Sequence, residues 1–115
     1  MYSRKPVKTS DGSSTIFIPE LNESYHSIHG ALTESQHVFI ENGFKLLKQD
    51  KVKVLEVGFG TGLNALLTLV ETCKNSQEVN YCALEPYPLE LELIVQVGYD
   101  KLVQEESIRK VYYSW

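Results

Sequence analysis

Val54-Leu55-Glu56-Val57-Gly58-Phe59-Gly60-Thr61-Gly62-Leu63-Asn64 is the stretch that decides the fold. An apolar run leads into three alternating glycines. Leu63, Leu66, Leu67 and Val70 then recur at i, i+3, i+4 and i+7, the stripe of a helix with one buried face. The pattern predicts a strand over 52–57, a tight turn and a helix. A second apolar run, Val79 to Leu84, ends on Glu85. Strand, glycine turn, helix and strand make a parallel β–α–β unit, with a ligand crevice beyond the carboxyl ends of its strands. Without Cβ atoms in the turn, backbone N–H groups approach a ligand closely. The helix N-terminus that follows favours negative charge.

Outward from this unit, residues 1–24 read as a β-hairpin with a flanking loop. Asp11-Gly12 is a turn dipeptide, Thr15 to Ile18 has strand composition and Pro19 ends the strand. Residues 25–51 read as helical, with Thr33 and Gln36 spaced as a capping box and Gly43 as a break. The near-continuous apolar strand 52–57 predicts a sheet covered on both faces. Lys74 to Gln77 should end the first long helix. Pro88 suits a first helical position, which predicts a helix from 88 to 97 carrying Leu89, Leu93 and Val97, stopped by Gly98. A further helical stretch is expected near 100–107, and Arg109 to Trp115 is expected to begin a third strand. The division predicted is a lead-in, residues 1–51, and the first half of a Rossmann-like core, residues 52–115, in one domain.

Composition narrows the function classes. The chain has 115 residues, 43% hydrophobic and 23% charged, as in an ordinary globular protein. Its formal net charge of -4 gives no electrostatic footprint for nucleic acid. Lys45, Lys48, Lys51 and Lys53 read as a solvated helix end. No apolar run approaches the roughly 18 residues of a membrane helix. The N-terminus lacks a signal-peptide pattern, so a cytoplasmic location is expected. Cys73 and Cys82 form no disulfide or zinc framework. His26, His29 and His37 lack the companions of a metal site, and no metal is expected. Tyr112, Tyr113 and Trp115 are read as an aromatic group, either stacking a base or buried beneath further sheet.

Glycine spacing selects among ligands. A triphosphate loop starting at Gly58 needs Gly-Lys at 63 and 64, where the chain has Leu63 and Asn64. A dinucleotide fingerprint needs its third glycine at 63, and here it stands at 62. The pattern Glu56-x-Gly58-x-Gly60-x-Gly62 resembles motif I of class I methyltransferases, which bind S-adenosylmethionine. The resemblance implies that Gly58, Phe59, Gly60, Thr61 and Gly62 lie against the methionine part of that cofactor. It also places Glu56 near the ammonium and Glu85 on both ribose hydroxyls. Asn64, at the helix start, either contacts the cofactor or caps.

Longer matches are more specific. Gly58 to Asn64 with Glu85-Pro86-Tyr87-Pro88-Leu89 resembles the methyltransferase domain of MnmC and its stand-alone relatives, called MnmD. Tyr25-His26-Ser27, Gly30-Ala31-Leu32, Glu34-Ser35 and His37 to Ile40 resemble that family's lead-in. The resemblance implies methylation of the aminomethyl group of a modified wobble uridine, with tRNA as partner. It also implies that Tyr25, Ser27, Glu34 and Ser35 wall the pocket. The family's Asp-Gly-Phe-Ser/Ala-Pro reaction-centre motif does not occur here. A β–α–β unit takes about 30 residues, so the chain corresponds to the N-terminal half of such a fold and catalytic residues are not assigned. An open sheet edge, prone to self-association, follows. The competing expectations are a non-catalytic paralogue acting as an interaction module and, less favoured, a nicotinamide-binding fragment.

Overall fold

The computed structural model describes residues 1–115. Lys5–Lys8 (β1) and Ser14–Ile18 (β2) pair antiparallel around Asp11-Gly12, with Lys8 opposite Ser14. Glu23–Ser24 (β3) adds a short third strand beside β2. The hairpin turn also organises the helix that follows. Ala31–Glu34 (α1) continues as a π-helical stretch, Ser35–Glu41, and has no side-chain cap of its own. Its first N–H groups are met from the hairpin instead. Ala31 N–H donates to Thr9 Oγ1 at 3.1 Å, Leu32 N–H to Ser13 Oγ at 3.0 Å and Thr33 N–H to Asp11 Oδ2 at 2.9 Å. Thr33 and Gln36 therefore form no capping box; Gln36 bonds Glu41. A reciprocal local cap is unnecessary when residues about twenty positions upstream already satisfy the orphan donors. The helical reading of 25–51 holds from 31 to 46, with the break at Gly43 followed by a 3-10 turn, Phe44–Leu46.

Lys51–Val57 (β4), Leu63–Asn75 (α2) and Glu78–Leu84 (β5) form the parallel β–α–β unit, with Val54 beside Tyr81 and Val57 beside Leu84. Leu63, Leu66 and Leu67 of α2 are buried as the stripe predicts. Strand alternation turns Val52, Val54, Glu56, Val79, Tyr81 and Ala83 toward α2. The opposite face is open: Leu55, Val57 and Leu84 are 66%, 80% and 54% exposed. The expectation of a sheet covered on both faces fails because α2 covers only one of them.

Leu91–Val97 (α3) starts later than Pro88 predicts, because Glu90 keeps extended backbone. Gly98 stops it as expected, and Tyr99–Leu102 forms a 3-10 turn. Glu106–Ser114 (α4) replaces the third strand expected at Arg109–Trp115. Tyrosine and tryptophan favour strands, but Ile108 and Tyr112 stand four apart and both are buried, so helical spacing and core contact outweigh propensity. A core of 13 residues unites the lead-in with the β–α–β unit, joining Ile16, Ala31 and Ile40 to Leu63, Leu66, Tyr99 and Tyr112. Each large apolar side chain so buried contributes about 1.5–3 kcal/mol.

Candidate functional site

The site lies where β4 and β5 end. Gly58 N–H donates to Leu84 C=O at 2.8 Å, extending the parallel ladder by one bond. The chain then reverses through left-handed glycines, with φ +86° at Gly58 and +75° at Gly62. Gly62 N–H closes the turn on Phe59 C=O at 3.0 Å. No side chain caps α2, whose first internal bond runs from Leu66 N–H to Gly62 C=O. Its first-turn N–H groups lack intrahelical acceptors by geometry. An anion is favoured there.

Both predicted carboxylates converge on the turn. Glu85 Oε2 accepts Gly60 N–H and Oε1 accepts Tyr87 N–H, each at 2.9 Å. A carboxylate offers about four acceptor sites, so Glu85 keeps about two free. Glu56 accepts the Tyr81 hydroxyl at 2.6 Å and Asn64 Nδ2 at 3.2 Å. Burial raises the Glu56 pKa and the negative charge of Glu85 adds to the rise, while the bonds from Tyr81 and Asn64 oppose it. A cation placed between the two carboxylates would relieve that cost. Burial and Glu56 together drive the Tyr81 phenol far above its usual range, so it stays a donor. Asn64 Oδ1 is buried without a partner, a free acceptor beside Glu56.

The lead-in reaches the same place. The Tyr25 ring packs on Gly60, where an added Cβ would stand 3.0 Å from Tyr25 Cδ2. Glu34 Oε1 accepts Ser27 N–H at 3.2 Å, and Ser35 is buried with its hydroxyl 3.5 Å from His26 Nδ1. Ser27, Glu34 and Ser35 thus brace His26 and the loop behind Tyr25. Thr61 is 1% exposed and turns into the core. Phe59 meets Trp115 edge to face at 6.1 Å. These rings, with Gly60 and Glu85, border a cleft of about 710 Å³ between α2, β5 and α3. Tyr112 is buried and Tyr113 and Trp115 are partly exposed.

Three residues escaped sequence reasoning as parts of the site. Tyr81 was legible in principle, since alternation puts its polar tip on the covered face, where a buried hydroxyl needs a partner. His26 and Tyr112 carry no local signal; only the fold brings them to Thr61. No group of three His, Cys, Asp or Glu is arranged to hold a metal ion. No helix is long and apolar enough to cross a membrane.

The architecture defines an α/β domain with a cleft beside the ends of two parallel strands. Comparison with known proteins narrows the class. The chain is 40% identical over 83 residues to the tRNA 5-methylaminomethyl-2-thiouridine biosynthesis bifunctional protein MnmC of Magnetococcus marinus, covering 66% of this chain and 12% of that protein. It is 30% identical over 94 residues to the MnmC protein of Cupriavidus metallidurans, covering 76% and 14%. A crystal structure of MNMC2 from Aquifex aeolicus superposes with a TM-score of 0.73 at 24% identity, over 97% of this chain and 36% of that one. No family model matches the chain. The chain is therefore a relative of the MnmC proteins, spanning about a seventh of the length of the curated relatives it matches.

Proposed function

We propose that this chain forms the cofactor-binding part of a Rossmann-like class I methyltransferase that binds S-adenosylmethionine and acts on the aminomethyl group of a modified wobble uridine in tRNA. The observation that carries the proposal is the bond from Gly60 N–H to Glu85, which joins the glycine turn and the strand-end carboxylate into one ligand cradle.

The residues present fit that cofactor part by part. The free acceptor sites of Glu85 suit two neighbouring hydroxyls. Glu56, buried beside a second carboxylate, and the unpartnered Asn64 Oδ1 suit an ammonium group. The uncapped start of α2 suits a carboxylate. Gly58 has nothing within 4 Å of where its Cβ would stand, so the turn leaves open space above it. Phe59 and Trp115 supply an apolar wall beside the cleft. When bound, S-adenosylmethionine supplies an electrophilic methyl group to a neutral amine. The part played by this chain is to orient the donor and exclude water, which lowers the barrier through positioning. The tRNA substrate is carried over from the names of the curated relatives.

Calorimetric titration with S-adenosylmethionine, with NAD as control, tests the proposal. We expect binding of the first alone, weakened at least tenfold in Glu85→Gln, because a charge-assisted hydrogen bond is worth about 1.5–3 kcal/mol. Binding of NAD, or equal affinity in the variant, refutes it. A second proposal, an interaction module, is favoured by the open sheet face at Leu55, Val57 and Leu84.

A further inference from the structure

Thr61 is held from two distant parts of the chain. His26 Nε2 stands 3.3 Å from Thr61 Oγ1, and the Tyr112 hydroxyl donates to Thr61 C=O at 2.8 Å. The residue sits between Gly60 and Gly62, both at positive φ. Glycines impose little conformational preference of their own, so tertiary contacts must fix the turn. His26 is itself pinned. Its N–H donates to Thr15 Oγ1 at 3.0 Å, and its C=O accepts the Ser24 hydroxyl at 2.7 Å. Its Nδ1 lies 3.6 Å from Glu34 Oε1 and 3.5 Å from Ser35 Oγ.

We propose that His26 is a positioning residue: oriented by Glu34 and Ser35, its imidazole holds Thr61 and so sets the geometry of the glycine turn for the cofactor. What the turn binds rests on the function proposed above; the hold on Thr61 does not. A carboxylate only accepts, so Nδ1 carries the proton toward Glu34 and Nε2 accepts from the Thr61 hydroxyl. Glu34, on α1, is the charged group that faces the ring. The π-helical stretch presents the Ser35 hydroxyl, the glycine turn presents Thr61 and β2 presents Thr15. Burial lowers the His26 pKa, against the pull of Glu34, and so favours the neutral ring. Protonation turns Nε2 into a donor. The Thr61 hydroxyl, which accepts as well as donates, then rotates, and the bond reverses direction, which the neighbouring turn amides register.

The test follows the amide resonances of Gly60 and Gly62 in ¹⁵N-labelled protein as pH falls from about 7.5 through and below the ordinary histidine range, until the His26 ring signal has itself titrated. In the wild type they should move together with the His26 ring signal. In His26→Gln, where an uncharged amide replaces Nε2, that titration should vanish, and Thr61→Val should abolish it too. Binding of S-adenosylmethionine is measured alongside. His26→Ala and Thr61→Val should bind about fivefold more weakly, the net worth of one hydrogen bond. Glycine resonances that titrate unchanged in His26→Gln, or that stay still in the wild type, overturn the proposal. Absence of cofactor binding in the wild type refutes the proposed function alone, and the amide titration still decides the role of His26.

Discussion

Replacing Gly62 with alanine separates two costs that the glycine turn combines. The first is backbone: an L-residue held in the left-handed region costs about 1–2 kcal/mol. The second is steric. A Cβ at position 62 would stand 2.8 Å from Phe59 Cζ and 3.3 Å from Tyr112 Cε2. Neither ring yields freely, since Phe59 meets Trp115 edge to face and the Tyr112 hydroxyl is bonded to Thr61 C=O. Forcing a methyl into such packing costs about 1–3 kcal/mol. Gly62→Ala should therefore lose about 2–5 kcal/mol. Gly58→Ala is the internal control. Its φ is +86°, but nothing lies within 4 Å of its Cβ position, so only the backbone cost of about 1–2 kcal/mol applies. Urea denaturation monitored by circular dichroism reads both, with an unchanged m-value as the sign that the unfolded reference is the same. At about 4 °C per kcal/mol for a chain of this size, Tm should fall by about 8–20 °C in the first variant and by about 4–8 °C in the second. Equal losses in the two variants would refute the packing of Phe59 and Tyr112 on the turn.

Two further outcomes follow from other parts of the molecule. Burial opposes ionisation of Asp11, but hydrogen bonds from Ser13 and Thr33 outweigh it and hold its carboxyl far below the ordinary range. A depressed folded-state pKa contributes stability above the unfolded value near 3.9, lost as pH falls through the folded value. Asp11→Ala should lose about 1 kcal/mol at pH 7, a figure held down by solvent screening. The gap from wild type should then narrow below about pH 4; a gap that is constant with pH, measured by denaturant titration, counts against the cap. The open sheet face and free edge of β4 predict concentration-dependent self-association by light scattering. Leu55→Lys with Val57→Lys should restore a monomer, and a wild type that is monomeric throughout removes the interaction-module proposal.

The β–α–β unit was legible because its signals are local. Leu63, Leu66, Leu67 and Val70 carry a helical period, and Val79 to Leu84 a strand composition. The hairpin around Asp11-Gly12 was legible for the same reason. Misreadings arose where a distant contact decided the matter. Arg109 to Trp115 has strand-forming residues, yet Ile108 and Tyr112 fold it into α4 by packing on the core. Thr33 and Gln36 match a capping box, yet Asp11, Thr9 and Ser13 cap the helix from another element.

Sequence alone determined that a glycine turn and a strand-end carboxylate meet, because they occupy set places in a parallel unit. It determined the exclusion of a triphosphate loop by spacing, and it pointed to the MnmC relationship. Tertiary structure decided what each side chain does there. Thr61 turns inward, Glu85 spends half its acceptor sites on Gly60 and Tyr87, and Tyr81 and Asn64 hold Glu56. His26 and Tyr112, 35 residues before Thr61 and 51 after it, meet only in the folded chain. Spacing along a chain reports neighbours on one helix or strand; it carries no record of which elements the burial of apolar surface will bring together.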